Sequence, residues 1–404
     1  ALAWVDISTG ALSVMACAAV ALGPELARLT PREVLLPESG EASFAETVTD
    51  SGAAMTPMGN AAFDSTNGAK RLCSVFGVSS LDAFGSFGRA EIAAMGALVE
   101  YLEITQKGKL PLLRPPVQER RDAAMQIDAA TRRSLELTHA MAGGRAGSLL
   151  ANIDRTLTAG GARLLERRLS SPSRDVGVIA ARQEAVQWMR DGGADRLRDP
   201  LRGVPDLDRA LSRLGLDRGG PRDMAAIRNT LEQAEAIAGG LPEDLPALLK
   251  GAAADLVGQG DLLDLLDAAL VAEPPLLARD GGFIAAGYDP ELDEARQLRD
   301  EGRSVIAGLQ QDYAAQAGIQ SLKIKHNNVL GYFIETTATH ADKMMAAPLS
   351  ETFIHRQTTA NQVRFTTVEL SELETRILNA GGWALEIEKR LYSSLRSAIL
   401  EKSS

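Results

Sequence analysis

The spacing of apolar positions divides the chain into stretches of different period. At the start, LAWVDISTGALSVMA alternates apolar and polar residues around Ser8-Thr9-Gly10, which predicts a strand hairpin. PREVLLPE predicts a short buried strand. RAEIAAMGALVEYLEITQ predicts a helix whose apolar stripe is Ile92, Met95, Leu98, Val99 and Leu102. The Pro-rich LPLLRPPVQ reads as a linker, so residues 1–118 form a mixed α/β region. Over 119–288 the period is helical almost throughout. IDRTLTAGGARLLERRLSSP predicts a helix with an Asp cap that stops before Pro172. VGVIAARQEAVQWMRD, PRDMAAIRNTLEQAEAIAGG and QGDLLDLLDAALV repeat the pattern of amphipathic helix followed by a Gly or Pro breaker.

Residues 289–318 open with Asp289 as a cap and Pro290 in the first turn. Their apolar positions are Leu292, Ala295, Leu298, Val305, Leu309 and Tyr313, and a helix of this length is about 45 Å long. Residues 369–404 answer with a heptad: Leu373, Ala380 and Ile387 form one line, and Ile377, Ala384, Leu391 and Ala398 the other. Gly381-Gly382 inside that pattern predict a bend. Between the two helices, SLKIKHNNVLGYFIETTA sets Leu322 and Ile324 against Lys323 and Lys325 around Asn327-Asn328, a strand pattern. Helix out, β insert over 319–368 and helix back predict a stalk with a small domain at its tip. The expected class is a multidomain α+β protein.

Composition refines this picture little. A chain of 404 residues, 45% hydrophobic and 24% charged, suits two or three ordinary domains. Cys17 and Cys73 are far apart and lack metal-ligand spacing, which suits a reducing compartment. ALSVMACAAVALG is about half a membrane span and has no basic leader, so neither signal peptide nor membrane helix is expected. The first residues read as the interior of a hairpin and the last as an uncapped helix, so a piece of a longer protein is expected.

Charge changes the picture more. The net charge is −10, yet no carboxylate stands between Glu351 and Glu369, where FIHRQTTANQVRFTT gathers Arg356, Arg364 and a row of Thr, Asn and Gln. Over 319–368 five basic residues, Lys323, Lys325, Lys343, Arg356 and Arg364, face three acidic ones, Glu335, Asp342 and Glu351. Arg and Lys among Thr, Asn and Gln are the donors that hold phosphate oxygens without reading bases. No stacking platform or base-reading helix accompanies them, which favours a duplex backbone over single strands. A solvated polar hairpin is the alternative on composition alone.

Three other motifs are read as structural. Asp6 in VDISTG stands where a ribonuclease H-like nuclease or a sugar-kinase phosphate loop would begin, but no further carboxylates or second loop accompany it. AGGRAGSLL lacks the Gly-Lys-Ser/Thr ending of a nucleotide loop. His326, His340 and His355 have no carboxylate or cysteine at ligand spacing, so no metal is expected.

Over its whole length the chain resembles the middle of the bacterial MutS proteins of DNA mismatch repair. The resemblance is carried by Asp128, Thr131, Arg132, Arg133, Leu135 and Glu136, and then by Asp154, Thr156, Thr158, Gly161, Arg163, Leu164, Leu165 and Pro172. Asp206, Arg209, Arg213, Pro221, Arg222 and Asp223 continue it. RDGGFIAAGYDPELDEAR, LKIKHNNVLGYFIE, HRQTTANQVRFTTVELSELE and ALEIEKRLYSSL complete it.

The resemblance implies a ribonuclease H-like connector over 1–118 without nuclease function and a helical core over 119–288. It further implies lever helices over 289–318 and 369–404, and a β clamp over 319–368 that grips double-stranded DNA regardless of sequence. Carried over by position, the DNA-binding residues are Lys325, Asn327, Arg356, Gln357, Thr358, Asn361 and Arg364. Ala360 stands where many relatives place a Lys, and Arg364 has the alternative role of fixing the clamp's own fold. Phe44-Ala45-Glu46 imitates the family's Phe-x-Glu mismatch wedge but falls inside the connector. The family's mismatch reader and its ATPase, with ATP and Mg, are expected outside these residues, so no catalytic residue and no cofactor is assigned here. The implied partners are duplex DNA, a second copy of the full-length protein and MutL, with no membrane and a cytoplasmic, nucleoid-associated location. Two rivals remain: a MutS relative that binds recombination junctions, and a scaffold whose tip binds a protein.

Overall fold

The computed structural model describes residues 1–108, 110–327 and 330–403. It is mostly helical with small sheets, and it divides into two compact units: 1–267 with 396–404, and 268–395.

In the first unit, β1 (Leu2–Asp6) and β2 (Ala11–Met15) form the expected hairpin, with Leu2 opposite Met15 and Asp6 opposite Ala11. Asp6 accepts hydrogen bonds from the Ser8 backbone N–H at 2.9 Å and the Ser8 hydroxyl at 2.6 Å, so its carboxylate builds the turn. Gly10 has φ +71, and a Cβ there would run into the Leu112 carbonyl, so only glycine lets the chain pass. β3 (Glu33–Pro37) and β4 (Ala54–Met58) make a separate parallel pair. β5 (Val117–Gln118) lies parallel to β2, so the Pro-rich linker ends in a strand instead of staying free. Leu113 draws it in by burying among Leu12, Val14, Leu72, Met95, Val99 and Leu102. Phe44 sits within the helix Glu41–Asp50 and packs on Leu22, Leu26, Val34, Leu36 and Val48, which gives the Phe-x-Glu imitation a core role.

Further along this unit the helices follow their breakers, with one correction. The helix expected to start at an Asp cap begins instead at Ala159, capped by the Thr158 hydroxyl, which accepts from Gly161 N–H at 3.0 Å. Asp154 turns its carboxylate to the Thr156 N–H and hydroxyl, closing a turn before the helix rather than capping it. AGGRAGSLL bends through positive φ at Gly143, Gly144 and Gly147 into a helix of five residues capped by Ser148. It carries no lysine, unlike a nucleotide loop that ends in Gly-Lys-Ser/Thr. Among the described residues no group of three His, Cys, Asp or Glu could hold a metal ion, and no helix is long and apolar enough to cross a membrane.

The second unit contains the helix Pro290–Ala317, a four-stranded sheet, and most of the helix Val368–Lys402. Asp289 caps the first helix, accepting from Leu292 N–H at 2.9 Å, and Leu292, Ala295 and Leu298 are buried. The helices run antiparallel. Glu291 meets Trp383 and Arg390 at one end, Gly302 lies against Ile377, and Tyr313 bonds Thr367 and Glu369 at the other. Burial pushes the Tyr313 hydroxyl up to about 12, so it stays a neutral hydrogen-bonding post. Glu388, buried, accepts from Gly282 N–H at 2.7 Å and from Arg296, tying the turn before the first helix to the second.

Two expectations shift. The non-helical residue recorded in these helices is Glu301, φ −118 and ψ 17, in the first one, while the second continues through Gly381-Gly382. The heptad also drifts. Ala380, Ala384 and Ile387 are buried as expected, but Leu391 and Ala398 are only half-buried, and Leu395 and Ile399 are buried instead. A straight helix turns 3.6 residues per turn, so a 3.5-residue line walks off the contact by about 20° per heptad.

Candidate nucleic-acid interface

The sheet of the second unit has the order β6 (Lys323–Asn327), β7 (Gly331–Thr337), β9 (Gln362–Thr366), β8 (Ile354–Thr358), antiparallel throughout. Its two faces follow from the register. Ile324, Ile334, Phe365 and Val363 face the core with Tyr313, Leu322, Met344, Phe353 and Leu370. The other face carries one continuous row across all four strands: Lys323 opposite Glu335, Glu335 opposite Arg364, Arg364 opposite Gln357. Lys325 stands beside this row, opposite Phe333.

Glu335 is the hub of that face. Its side chain is 6% exposed, and its two oxygens accept from Lys325 Nζ at 2.6 Å and Arg364 Nε at 3.3 Å. Burial works against its charge, but Lys325 and Arg364 outweigh it and hold the carboxyl below its ordinary 4.5. Arg364 also donates to Gln357 Oε1 at 2.9 Å and stacks over the Phe333 ring at 4.6 Å. Lys325 and Arg364 thus roof Phe333, which is 4% exposed although it points away from the core.

The seven expected residues therefore do not act alike. Lys325, Arg364 and Gln357 lie together on the outer face, already partnered. Asn327 accepts from Leu330 N–H at 2.7 Å and shapes the turn; Asn328, named with it from the sequence, lies outside the described residues. Arg356 is the extra residue of a bulge between His355 and Gln357; it is exposed and makes no hydrogen bond or ion pair among the described residues. The bulge resets the alternation, so Thr358 returns to the core side, opposite Val363, and its hydroxyl meets His355 Nε2 at 2.9 Å. Asn361 sits in the β8–β9 turn; its carbonyl accepts from Ala338 N–H and its side chain is exposed. Lys323 was absent from the expected set, yet it is exposed on the outer face without an ion pair among the described residues. The Lys-x-Lys alternation was the signal that could have found it.

The family model of MutS domain III matches residues 130–404, and that of MutS domain II matches residues 1–114. The chain belongs to the MutS family. Curated MutS relatives agree along its length. It is 66% identical over 403 residues to the DNA mismatch repair protein MutS of Roseobacter denitrificans, covering 99% of this chain and 46% of that protein. The MutS proteins of Ruegeria sp. and Paracoccus denitrificans are 66% and 63% identical, each matched over 100% of this chain and 46% of its own length. The chain thus spans about half the length of these MutS relatives.

Proposed function

We propose that this MutS chain contributes a sequence-independent grip on duplex DNA to mismatch repair, made by the outer face and turn of the small sheet. The observation that carries the proposal is the row from Lys323 to Gln357 with Arg356 free at its edge. Three basic side chains, Lys323, Lys325 and Arg364, share that face with Glu335. Three strand spacings of about 4.8 Å make the row about 14 Å wide, comparable to four nucleotides at 3.4 Å. Lysine, arginine and amide donors on a sheet with no element shaped for a groove contact phosphates and leave the bases unread.

Within this reading Lys323, Lys325, Arg356 and Asn361 meet the backbone. Gln357 and Arg364 hold the face in shape and add charge, while Asn327 and Thr358 shape its margins. Ala360 places a methyl where a further cation would tighten the grip. The paired helices of the second unit are proposed as levers that carry the state of the family's ATPase domain, with its ATP and Mg, to the clamp. Residues 1–118 are proposed as a ribonuclease H-like connector that offers MutL a surface. The full-length protein would act as a homodimer in the cytoplasm, at the nucleoid.

The test is fluorescence anisotropy of the 404-residue chain on matched and singly mismatched duplexes across a salt series. Arg356→Glu is expected to weaken both duplexes alike and to flatten the log–log salt slope by roughly one unit. An unchanged isotherm would sink the phosphate assignment.

A further inference from the structure

The outer face of the sheet holds its cations in two different conditions. Lys323 and Arg356 make no ion pair among the described residues, whereas Lys325 and Arg364 share Glu335. A carboxylate beneath two cations can serve as an anchor that aims them at a ligand, or as a rival for the ligand's place. The geometry separates the two roles. Arg364 is located by its stack on Phe333 and its bond to Gln357 as well as by Glu335, so it is fixed in place with or without a ligand. Lys325 is 49% exposed, and its ammonium turns inward to Glu335 Oε1 rather than outward to solvent. It has three donors on a flexible stem, and a phosphate above the sheet would have to draw it away from that oxygen.

We propose that Glu335 is an internal counter-anion of the DNA-gripping face. It occupies Lys325 when the duplex is absent and competes with phosphate for it, and it offsets part of the charge of Arg364, so it limits how tightly the clamp holds. This inference rests on the reading of the face as a backbone grip. Two like charges at an illustrative separation of about 7 Å repel by an amount worth about a three- to tenfold change in affinity in a partly solvated setting. Lys325 would exchange its contact with Glu335 for one with phosphate, whereas Lys323 and Arg356 would gain theirs outright.

The test compares wild type, Glu335→Gln, Arg356→Glu and the double variant on one matched duplex over a salt series. Glu335→Gln is expected to tighten binding about three- to tenfold and to steepen the salt slope by about 0.9, one further phosphate contact. Arg356→Glu should weaken binding in both backgrounds. If Arg356→Glu weakens binding but Glu335→Gln leaves it unchanged or weaker, the counter-anion role is overturned and the grip stands. If Arg356→Glu changes nothing in either background, the grip itself fails and the inference with it. Hydrogen exchange over residues 331–366 reports whether the sheet is intact. Should Glu335→Gln open it, Glu335→Asp keeps the charge, withdraws it by one methylene, and is expected to tighten binding by a smaller factor; absence of that gain also overturns the proposal.

Discussion

Replacing Arg364 by Met separates a residue that builds the sheet from one that decorates it. The substitution keeps the stem over Phe333 but removes the guanidinium. It deletes a charge-assisted hydrogen bond to Glu335, worth about 1.5–3 kcal/mol, a bond to Gln357 of about 1 kcal/mol, and a cation–π contact of about 0.5–1 kcal/mol. These are not additive, because Glu335 keeps Lys325 and the Met side chain still covers the ring. The 3.3 Å bond to Glu335 is also long, so a net loss of about 2–3 kcal/mol is expected. Global unfolding is a poor reporter in a chain of two compact units. Hydrogen exchange of peptides covering β7 and β9 reads the sheet locally, and there the loss appears as exchange about 30- to 150-fold faster. Arg356→Met, which breaks no contact among the described residues, should stay within about twofold of wild type in the same peptides. Equal effects of the two substitutions, or none at Arg364, would refute the account of Glu335 and Arg364 as the core of the outer face.

Two more expectations concern the same sheet. Since partners hold the Glu335 carboxyl below its unfolded value of 4.5, its contribution to stability is fully present above that pH and is lost as pH falls through the lower folded value. The stability gap between wild type and Glu335→Gln, read by exchange over 331–337, should therefore shrink steadily below pH 4.5; a constant gap would refute the linkage. Gly331 has φ +68, and a Cβ there would strike the Glu374 carboxylate, which accepts from Tyr332 N–H at 3.1 Å. Gly331→Ala is expected to cost about 1–3 kcal/mol in the β6–β7 hairpin, and adding Glu374→Ala should relieve the clash but not the backbone strain.

Period and punctuation carried much of the local structure. Alternation around Gly10, the stripe Met95–Val99–Leu102, and the Asp289-Pro290 start of a long helix all express preferences that act within a few residues. So does the switch to strand period at Leu322. The motif resemblance likewise placed the chain in its family. The composition of the candidate interface was legible too, because charge asymmetry within fifty residues needs no coordinates.

Its arrangement was not. Counting by twos along β8 puts Arg356 and Thr358 on one face, but one bulged residue reverses the parity, and bulges answer to the partner strand, not to the strand's own sequence. Glu335 entered the sequence reading only as one negative charge in a local sum. Register across β6, β7 and β9 sets it between Lys325 and Arg364, ten and twenty-nine residues away. The types of side chain and the period of each element are properties of short segments, and the sequence determined those by itself. Which cations are free to meet a ligand, and which are already bound to a buried carboxylate, depends on distances between segments that only tertiary packing decides.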